Sequence, residues 1–125
     1  MKPGETILGF DLGNHLFFVL SVEVAGLVAV ANFTDSSFPS SDRTCVAHPG
    51  EHPFLTKESC VYYRKAEMVA LAPLSRAREE GELKQHQPLS PALLRRIQDG
   101  ALISRFTARD VQAAVRLTLE VSEGR

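Results

Sequence analysis

The side chains best suited to chemistry are concentrated in residues 44–64. This segment holds both cysteines, both tyrosines and two of the four histidines. His48, Glu51 and His52 match the spacing His-x-x-Glu-His, which in inverted zinc peptidases places two metal ligands one helical turn apart with the glutamate as base. Pro49 cannot sit inside such a helix, because proline lacks the amide donor and clashes with the preceding turn. The pattern therefore favours an irregular loop over a peptidase site.

A looser metal site is a second interpretation of the same loop. Cys45, His48 and His52 are all able to bind a transition metal. No second pair of ligands at zinc-like spacing accompanies them, so we predict neither a metal nor another cofactor. We expect a surface loop in which His48 and His52 are exposed or bonded to backbone, and in which both could shape a binding groove.

Tyr62, Tyr63 and Arg64 follow each other directly. On a strand, one tyrosine would face the core and the other would face solvent beside the arginine. A phenol next to a cation can bind a phosphate or stack on a base. The structural alternative is an ordinary set of amphipathic residues at the edge of a sheet.

Two further polar residues stand at the ends of apolar runs. Thr34 is followed by Asp35 and two serines, which can bind a ligand but more often form an Asx or Ser turn. His15 directly precedes an apolar run, and histidine titrates close to neutral pH, so it is a candidate acid or base. An exposed loop histidine is the alternative for that position.

The overall composition is that of one ordinary globular domain, residues 1–125. Hydrophobic residues make up 44% and charged residues 23%, and the net charge of −1 gives no global attraction to nucleic acid or anionic lipid. Two cysteines favour reduced, buried thiols, which fits a cytoplasmic protein. The N-terminus lacks a signal-peptide pattern, and the longest apolar run, residues 16–20, is too short to span a bilayer, so we expect no membrane association.

The hydrophobic pattern predicts strands first and helices afterwards. Residues 16–22 and 27–33 are almost continuously apolar, as expected for a central hairpin buried on both faces. The complete set of predicted strands is residues 6–11, 16–22, 27–33, 44–47, 59–63 and 67–71. The last two could instead form one long bent strand. Together they predict a sheet within residues 4–72.

Residues 74–121 have the spacing of helices. A first helix is predicted over residues 74–83, with Ser75 as its N-cap. A second helix begins at Ser90, with Pro91 at its first position and Gly100 at its end. Thr107 and Asp110 resemble a capping box that opens a third helix. Strands followed by helices predict the α+β class.

The order of these elements resembles the PemK/MazF-like toxins. The matching features are the Gly-Glu-x-Ile opening, two apolar strands ending in Ser or Thr, and a late Leu-Ser-Pro-Ala-Leu-Leu-x-x-Ile helix: residues 4–7, 16–21, 27–34 and 89–97. The resemblance implies a small SH3-like antiparallel β-barrel with C-terminal helices, usually as a homodimer. It also implies metal-independent cleavage of single-stranded RNA and neutralisation by a small antitoxin protein.

The resemblance also implies roles for individual residues. Family members commonly carry an arginine before the second strand, where this chain has His15, whereas Thr34 is retained. Some carry Arg-x-Asp on a later strand, where this chain has Tyr62, Tyr63 and Arg64. Two hypotheses follow. In the first, His15 is the acid or base, Thr34 the phosphate-side hydroxyl and Arg64 the charge stabiliser. In the second, the barrel is catalytically silent and binds protein or nucleic acid through its tyrosines and its proline-rich loop.

Overall fold

The computed structural model describes residues 1–9, 15–37 and 41–123. Residues 10–14, which include the last two residues of the predicted first strand, lie outside these ranges, as do residues 38–40. The strands are β1 (Thr6–Gly9), β2 (Leu16–Val19), β3 (Leu27–Asp35), β4 (Val46–Ala47), β5 (Ser59–Val61), β6 (Glu67–Ala70) and β7 (Leu83–His86). The helices are α1 (Leu71–Glu79), α2 (Pro91–Ile103) and α3 (Arg109–Glu123), with a short 3-10 helix at Tyr63–Lys65.

The strands form one antiparallel sheet in the order β4-β5-β3-β2-β1-β7. β3 is long enough to have two partners along one edge: residues 33–35 pair with β5, and residues 27–30 pair with β6. The 3-10 helix Tyr63–Lys65 carries the chain from one partner to the other. The sheet is open, because its end strands β4 and β7 do not pair with each other. This architecture confirms the α+β class predicted from the sequence.

The central hairpin of β2 and β3 is buried on both faces, as predicted. Phe18 and Ala31 are paired across the hairpin and face the core that α2 and α3 cover. Val19 and Val30, the next pair, face the opposite side, which α1 covers. Each strand therefore needs apolar side chains at successive positions, which explains the nearly continuous apolar runs.

The helix starts were predicted with mixed success. Ser90 does cap α2: its hydroxyl accepts the Leu93 amide at 3.2 Å, and Pro91 takes the first helical position. Ser75 is not a cap, because α1 begins at Leu71, directly where β6 ends, and Leu74 on its first turn packs against the sheet. None of the helices in the described ranges has the length and apolar character that crossing a membrane requires.

Two further helix predictions were wrong for reasons of packing. Gly100 does not end α2, which continues to Ile103. It lies inside the helix, where the buried side chain of Tyr63 occupies the space beside it. Thr107 does not form the capping box, because α3 begins at Arg109 and the Thr107 hydroxyl has no hydrogen-bond partner among the described residues. β7 was also missed, since its polar sequence gives no strand pattern and only its pairing with β1 defines it.

Cys45 and Cys60 are both buried and free, as predicted. Cys60 lies on β5 directly opposite Val46 of β4, and Cys45 immediately precedes Val46, so Cys45 points to the other face of the ladder. Cys45 packs into the main core, and burial raises the pKa of both thiols. Opposite orientation therefore keeps two close cysteines from forming a disulfide.

Candidate functional site

Thr34, near the end of β3, lines two surface cavities. The first, which we call the arginine cavity, has a volume of about 300 Å³ and includes Tyr62, Arg64 and Phe106 in its wall. The second, the histidine cavity, measures about 320 Å³ and includes His15. His15 does not line the arginine cavity. The structure thus brings His15 and Arg64 each to a cavity walled by Thr34, but not into the same cavity. We call the two cavities together the Thr34 groove.

Arg64 and Phe106 form the exposed wall of the arginine cavity. The guanidinium carbon of Arg64 lies 4.1 Å from the centroid of the Phe106 ring, and that of Arg105 lies 4.9 Å from it. Such contacts are cation–π interactions, which orient the guanidinium group and leave its N–H groups free to donate hydrogen bonds. In the described ranges no carboxylate forms an ion pair with Arg64. Its N–H groups are therefore available to an anion entering the cavity.

Asp42 fixes the connection between α2 and α3 to the sheet. Its Oδ2 accepts a hydrogen bond from the Ser104 hydroxyl at 2.6 Å, and its Oδ1 accepts from the amide and hydroxyl of Thr44 at 3.0 and 2.5 Å. Burial raises the pKa of Asp42, but the hydrogen bonds from Ser104 and Thr44 outweigh it, so the net shift is downward. The Ser104 hydroxyl in turn accepts the Phe106 amide at 3.2 Å. Asp42 is thus a bonded anion that positions Phe106 through Ser104, and not a free base.

The two tyrosines lie on different sides of the chain, but not through the strand alternation that was predicted, because neither residue is in a strand. Tyr62 is half-buried and lines the arginine cavity. Tyr63 is fully buried, donates its hydroxyl to the carbonyl of Ile97 at 2.7 Å, and has its pKa raised by burial far above the ordinary range. Tyr63 is therefore a core residue, and of the two tyrosines only Tyr62 can contact a ligand in the cavity. The segment is not a long strand: β5 stops at Val61, and the 3-10 helix follows.

The histidine cavity contains a second cation. Lys57 pairs with Asp35 at 2.6 Å, and this hydrogen bond from Lys57 lowers the pKa of Asp35 to about 2. Asp35 also accepts the Ser37 amide at 2.8 Å, which is the Asx turn predicted after Thr34. His15 is exposed, and its ring meets that of Phe17 edge to face at 6.4 Å.

The proline-rich loop is irregular, as predicted, and α2 holds it in place. Arg96 forms an ion pair with Glu51 and donates to the carbonyl of Val46 at 2.6 Å. The hydrogen bond from Arg96 lowers the pKa of Glu51. Glu51 in turn accepts the amide of His48 at 2.8 Å, while the His48 side chain is exposed.

His52 is a structural residue of this loop. It is only 3% exposed, and its Nδ1 accepts the Phe54 amide at 3.1 Å. The ring proton must then be on Nε2, which lies 2.7 Å from the carbonyl of Gln87 and donates to it. Because both nitrogens are engaged within the fold, His52 cannot bind a ligand directly.

The looser metal site is not assembled. Within the described part of the chain, no group of three or more His, Cys, Asp or Glu side chains is placed to hold a metal ion. Cys45 faces the core, His48 faces solvent, and His52 bonds to Gln87.

Sequence reasoning missed Phe54, Phe106 and Asp42. An aromatic residue in a short polar connection, as at Phe106 between Arg105 and Thr107, is a weak signal of an exposed ring. No local pattern indicates which arginine will lie on it, because Arg64 and Phe106 are separated by the whole of α1, β7 and α2.

Comparisons of the chain with protein families, with curated proteins and with solved structures find no match. The geometry of the Thr34 groove is therefore the basis for assigning a function.

Proposed function

We propose that the chain binds single-stranded RNA in the Thr34 groove. The observation that carries this proposal is the Arg64–Phe106 pair, a cation without a carboxylate partner in the described ranges, held 4.1 Å from an aromatic centroid in a cavity of about 300 Å³. Proteins that bind single strands combine cations for the phosphates with aromatic rings or guanidinium planes on which bases stack. Tyr62 in the same cavity adds a second aromatic surface.

The charge distribution supports a local site. The chain as a whole carries a net charge of −1, so binding must come from a local cluster rather than from the total charge. Arg64 and Arg105 supply such a cluster, because the guanidinium groups of both residues contact the Phe106 ring. Asp42 offsets part of this charge, but its oxygens already accept three hydrogen bonds.

The experiment compares RNA affinity between two arginine variants. Arg64→Ala should weaken binding of a labelled single-stranded RNA, measured by fluorescence anisotropy, by about tenfold. Arg116→Ala is the matched control, because Arg116 is also exposed, lies on α3 and lines neither cavity of the groove. Equal losses in both variants would indicate non-specific electrostatics and would contradict the proposal, as would an Arg64→Ala variant that binds as the unaltered chain does.

A second candidate function is metal-independent RNA cleavage, as in the PemK/MazF-like toxins. It is favoured by one observation: His15 and Thr34 line the same cavity, with Thr34 also reaching the cavity of Arg64. His15 would act as the general acid or base, the Thr34 hydroxyl would bind the phosphate of the cleaved RNA bond, and Arg64 would stabilise the negative charge that develops on that phosphate. In this proposal the open sheet is an incompletely closed SH3-like barrel, and the homodimer and the antitoxin partner remain predictions of the resemblance.

Cleavage is tested separately from binding. Purified protein is incubated with labelled single-stranded RNA in EDTA, beside His15→Ala and Thr34→Val, which retains the shape of the side chain without its hydroxyl. Cleavage that persists in EDTA and falls in both variants supports the enzyme. Binding without cleavage, from protein shown to be folded, leaves the RNA-binding function and removes the catalytic one.

A further inference from the structure

We infer that the Thr34 groove accepts two successive nucleotides, with Phe54 as the stacking surface for the second base. The inference rests on the proposed RNA binding and specifies its ligand as an unpaired dinucleotide step. One base would lie at the Tyr62 and Phe106 end, the other at Phe54, and the phosphate between them would lie at Thr34.

The two cavities share two chemical features. Each places an aromatic ring and a cation beside Thr34: Phe106 with Arg64 in one, and Phe54 with Lys57 in the other. Lys57 is paired with Asp35 at 2.6 Å but is 66% exposed, and an ammonium group has three donors. It can therefore keep its pairing and still donate to a phosphate. The repetition of this composition on both sides of one threonine suggests two binding positions of the same kind.

Phe54 is anchored as a surface ring and not packed as a core ring. It remains half-buried, lines the histidine cavity, and meets the His86 ring edge to face at 6.5 Å. Its backbone amide donates to Nδ1 of the buried His52, whose Nε2 donates to the Gln87 carbonyl. A residue that is fixed through a buried hydrogen bond while its ring stays accessible is pre-organised for contact, which lowers the entropic cost of binding.

The same anchor explains why the proline-rich loop lies where it does. The Gln87 carbonyl accepts a second hydrogen bond from the Thr6 hydroxyl at 2.8 Å, so His52 ties Phe54 to β1 as well as to the end of β7. Arg96 independently holds the loop at the preceding residue, Glu51. The loop is thus held at two neighbouring residues, and Phe54 lies two positions after His52. We therefore regard His52 as a positioning residue for Phe54.

An unpaired dinucleotide step fits this arrangement better than a duplex. Stacking on an aromatic side chain requires the face of a base to be uncovered, and in a duplex both faces are already stacked. A ligand whose bases stack on both rings should then bind about 5- to 150-fold more tightly than one that reaches a single ring.

The test uses two small probes, adenosine monophosphate and the dinucleoside monophosphate ApA, titrated into the full chain and followed by two-dimensional NMR. We expect ApA to bind about tenfold more tightly than the mononucleotide. Phe54→Leu, which keeps an apolar side chain beside His86, should abolish this advantage, so that ApA binds no more tightly than the mononucleotide. Phe54→Tyr keeps the ring and should retain the advantage.

The outcomes separate the inference from the function on which it rests. If ApA and the mononucleotide bind equally, or if Phe54→Leu retains the full advantage while Arg64→Ala still loses affinity, then the second position is refuted and RNA binding stands. If neither probe nor a longer single-stranded RNA binds the folded chain, both proposals are refuted together.

Discussion

The hydroxyl group of Tyr63 occupies the space that a side chain on Gly100 would need. A Cβ at Gly100 would lie 2.2 Å from the Tyr63 hydroxyl oxygen, 3.0 Å from its Cζ and 3.2 Å from the Cβ of Cys45. Glycine inside a helix costs about 1 kcal/mol relative to alanine. That cost is offset here because the close approach lets Tyr63 donate its hydrogen bond to Ile97 within the core.

Gly100→Ala should therefore destabilise the protein, although alanine is the better helix former. Overpacking of a closed core costs about 1–3 kcal/mol and occasionally more, which exceeds the gain in helix propensity. We expect a net loss of up to about 2 kcal/mol in the free energy of unfolding, measured by urea denaturation. The same substitution in a Tyr63→Phe background should cost less, since the nearest clashing atom is gone. An equal cost in both backgrounds would contradict the assignment of the clash to the hydroxyl.

The strands of the hairpin could be predicted from sequence because the apolar character of each residue indicates directly that the residue is buried. β2 and β3 are apolar at successive positions, and both their faces are covered. Gly100 could not be interpreted in the same way. A glycine near the end of a predicted helix is typical of a C-cap, whereas its actual role depends on Tyr63, a residue far away in the sequence.

Two of the buried threonines, Thr118 and Thr107, should respond in opposite ways to substitution by valine. Thr118 donates to the Ala114 carbonyl at 2.7 Å and accepts the Val22 amide at 2.9 Å, so Thr118→Val leaves a buried donor unpaired and should cost about 1–3 kcal/mol. The Thr107 hydroxyl has no partner among the described residues, so Thr107→Val removes an unsatisfied group and should stabilise by about 1 kcal/mol. Both are measured by thermal and urea denaturation, and destabilisation by Thr107→Val would show that its hydroxyl is bonded in solution.

The Lys57–Asp35 pair should make a contribution to stability that depends on pH. The hydrogen bond from Lys57 lowers the pKa of Asp35 from its usual 3.8 to about 2. A carboxyl group whose pKa is lower in the folded state stabilises the fold above its unfolded pKa, and this contribution is lost as the pH falls from about 4 to about 2. A carboxyl-detected NMR titration should show this low midpoint, and Lys57→Ala should move it back towards the usual value. An unchanged midpoint in that variant would assign the shift to the Ser37 turn instead.

The candidate site could be predicted from sequence only in part, for a physical reason. Thr34 stands at a strand end, where a turn and a surface opening are expected together, and it does line the groove. His52 and Tyr63 have side chains typical of binding sites, but their polar atoms are used inside the fold. Whether a polar atom is free depends on tertiary partners such as Gln87 and Ile97, which no local pattern specifies.

Arg64 and Phe106 should affect RNA binding through different physical terms. Arg64→Ala removes a phosphate contact, so the slope of log affinity against log salt should become shallower by about 0.7, the value for one contact to a single strand. Phe106→Leu removes the ring while leaving the charge, so the affinity should fall about tenfold with little change in the slope. In the double variant the losses should be less than additive, because Arg64 without the ring is no longer held 4.1 Å from its centroid. Strict additivity, or equal slopes in the unaltered chain and Arg64→Ala, would show that the two side chains do not act as one site.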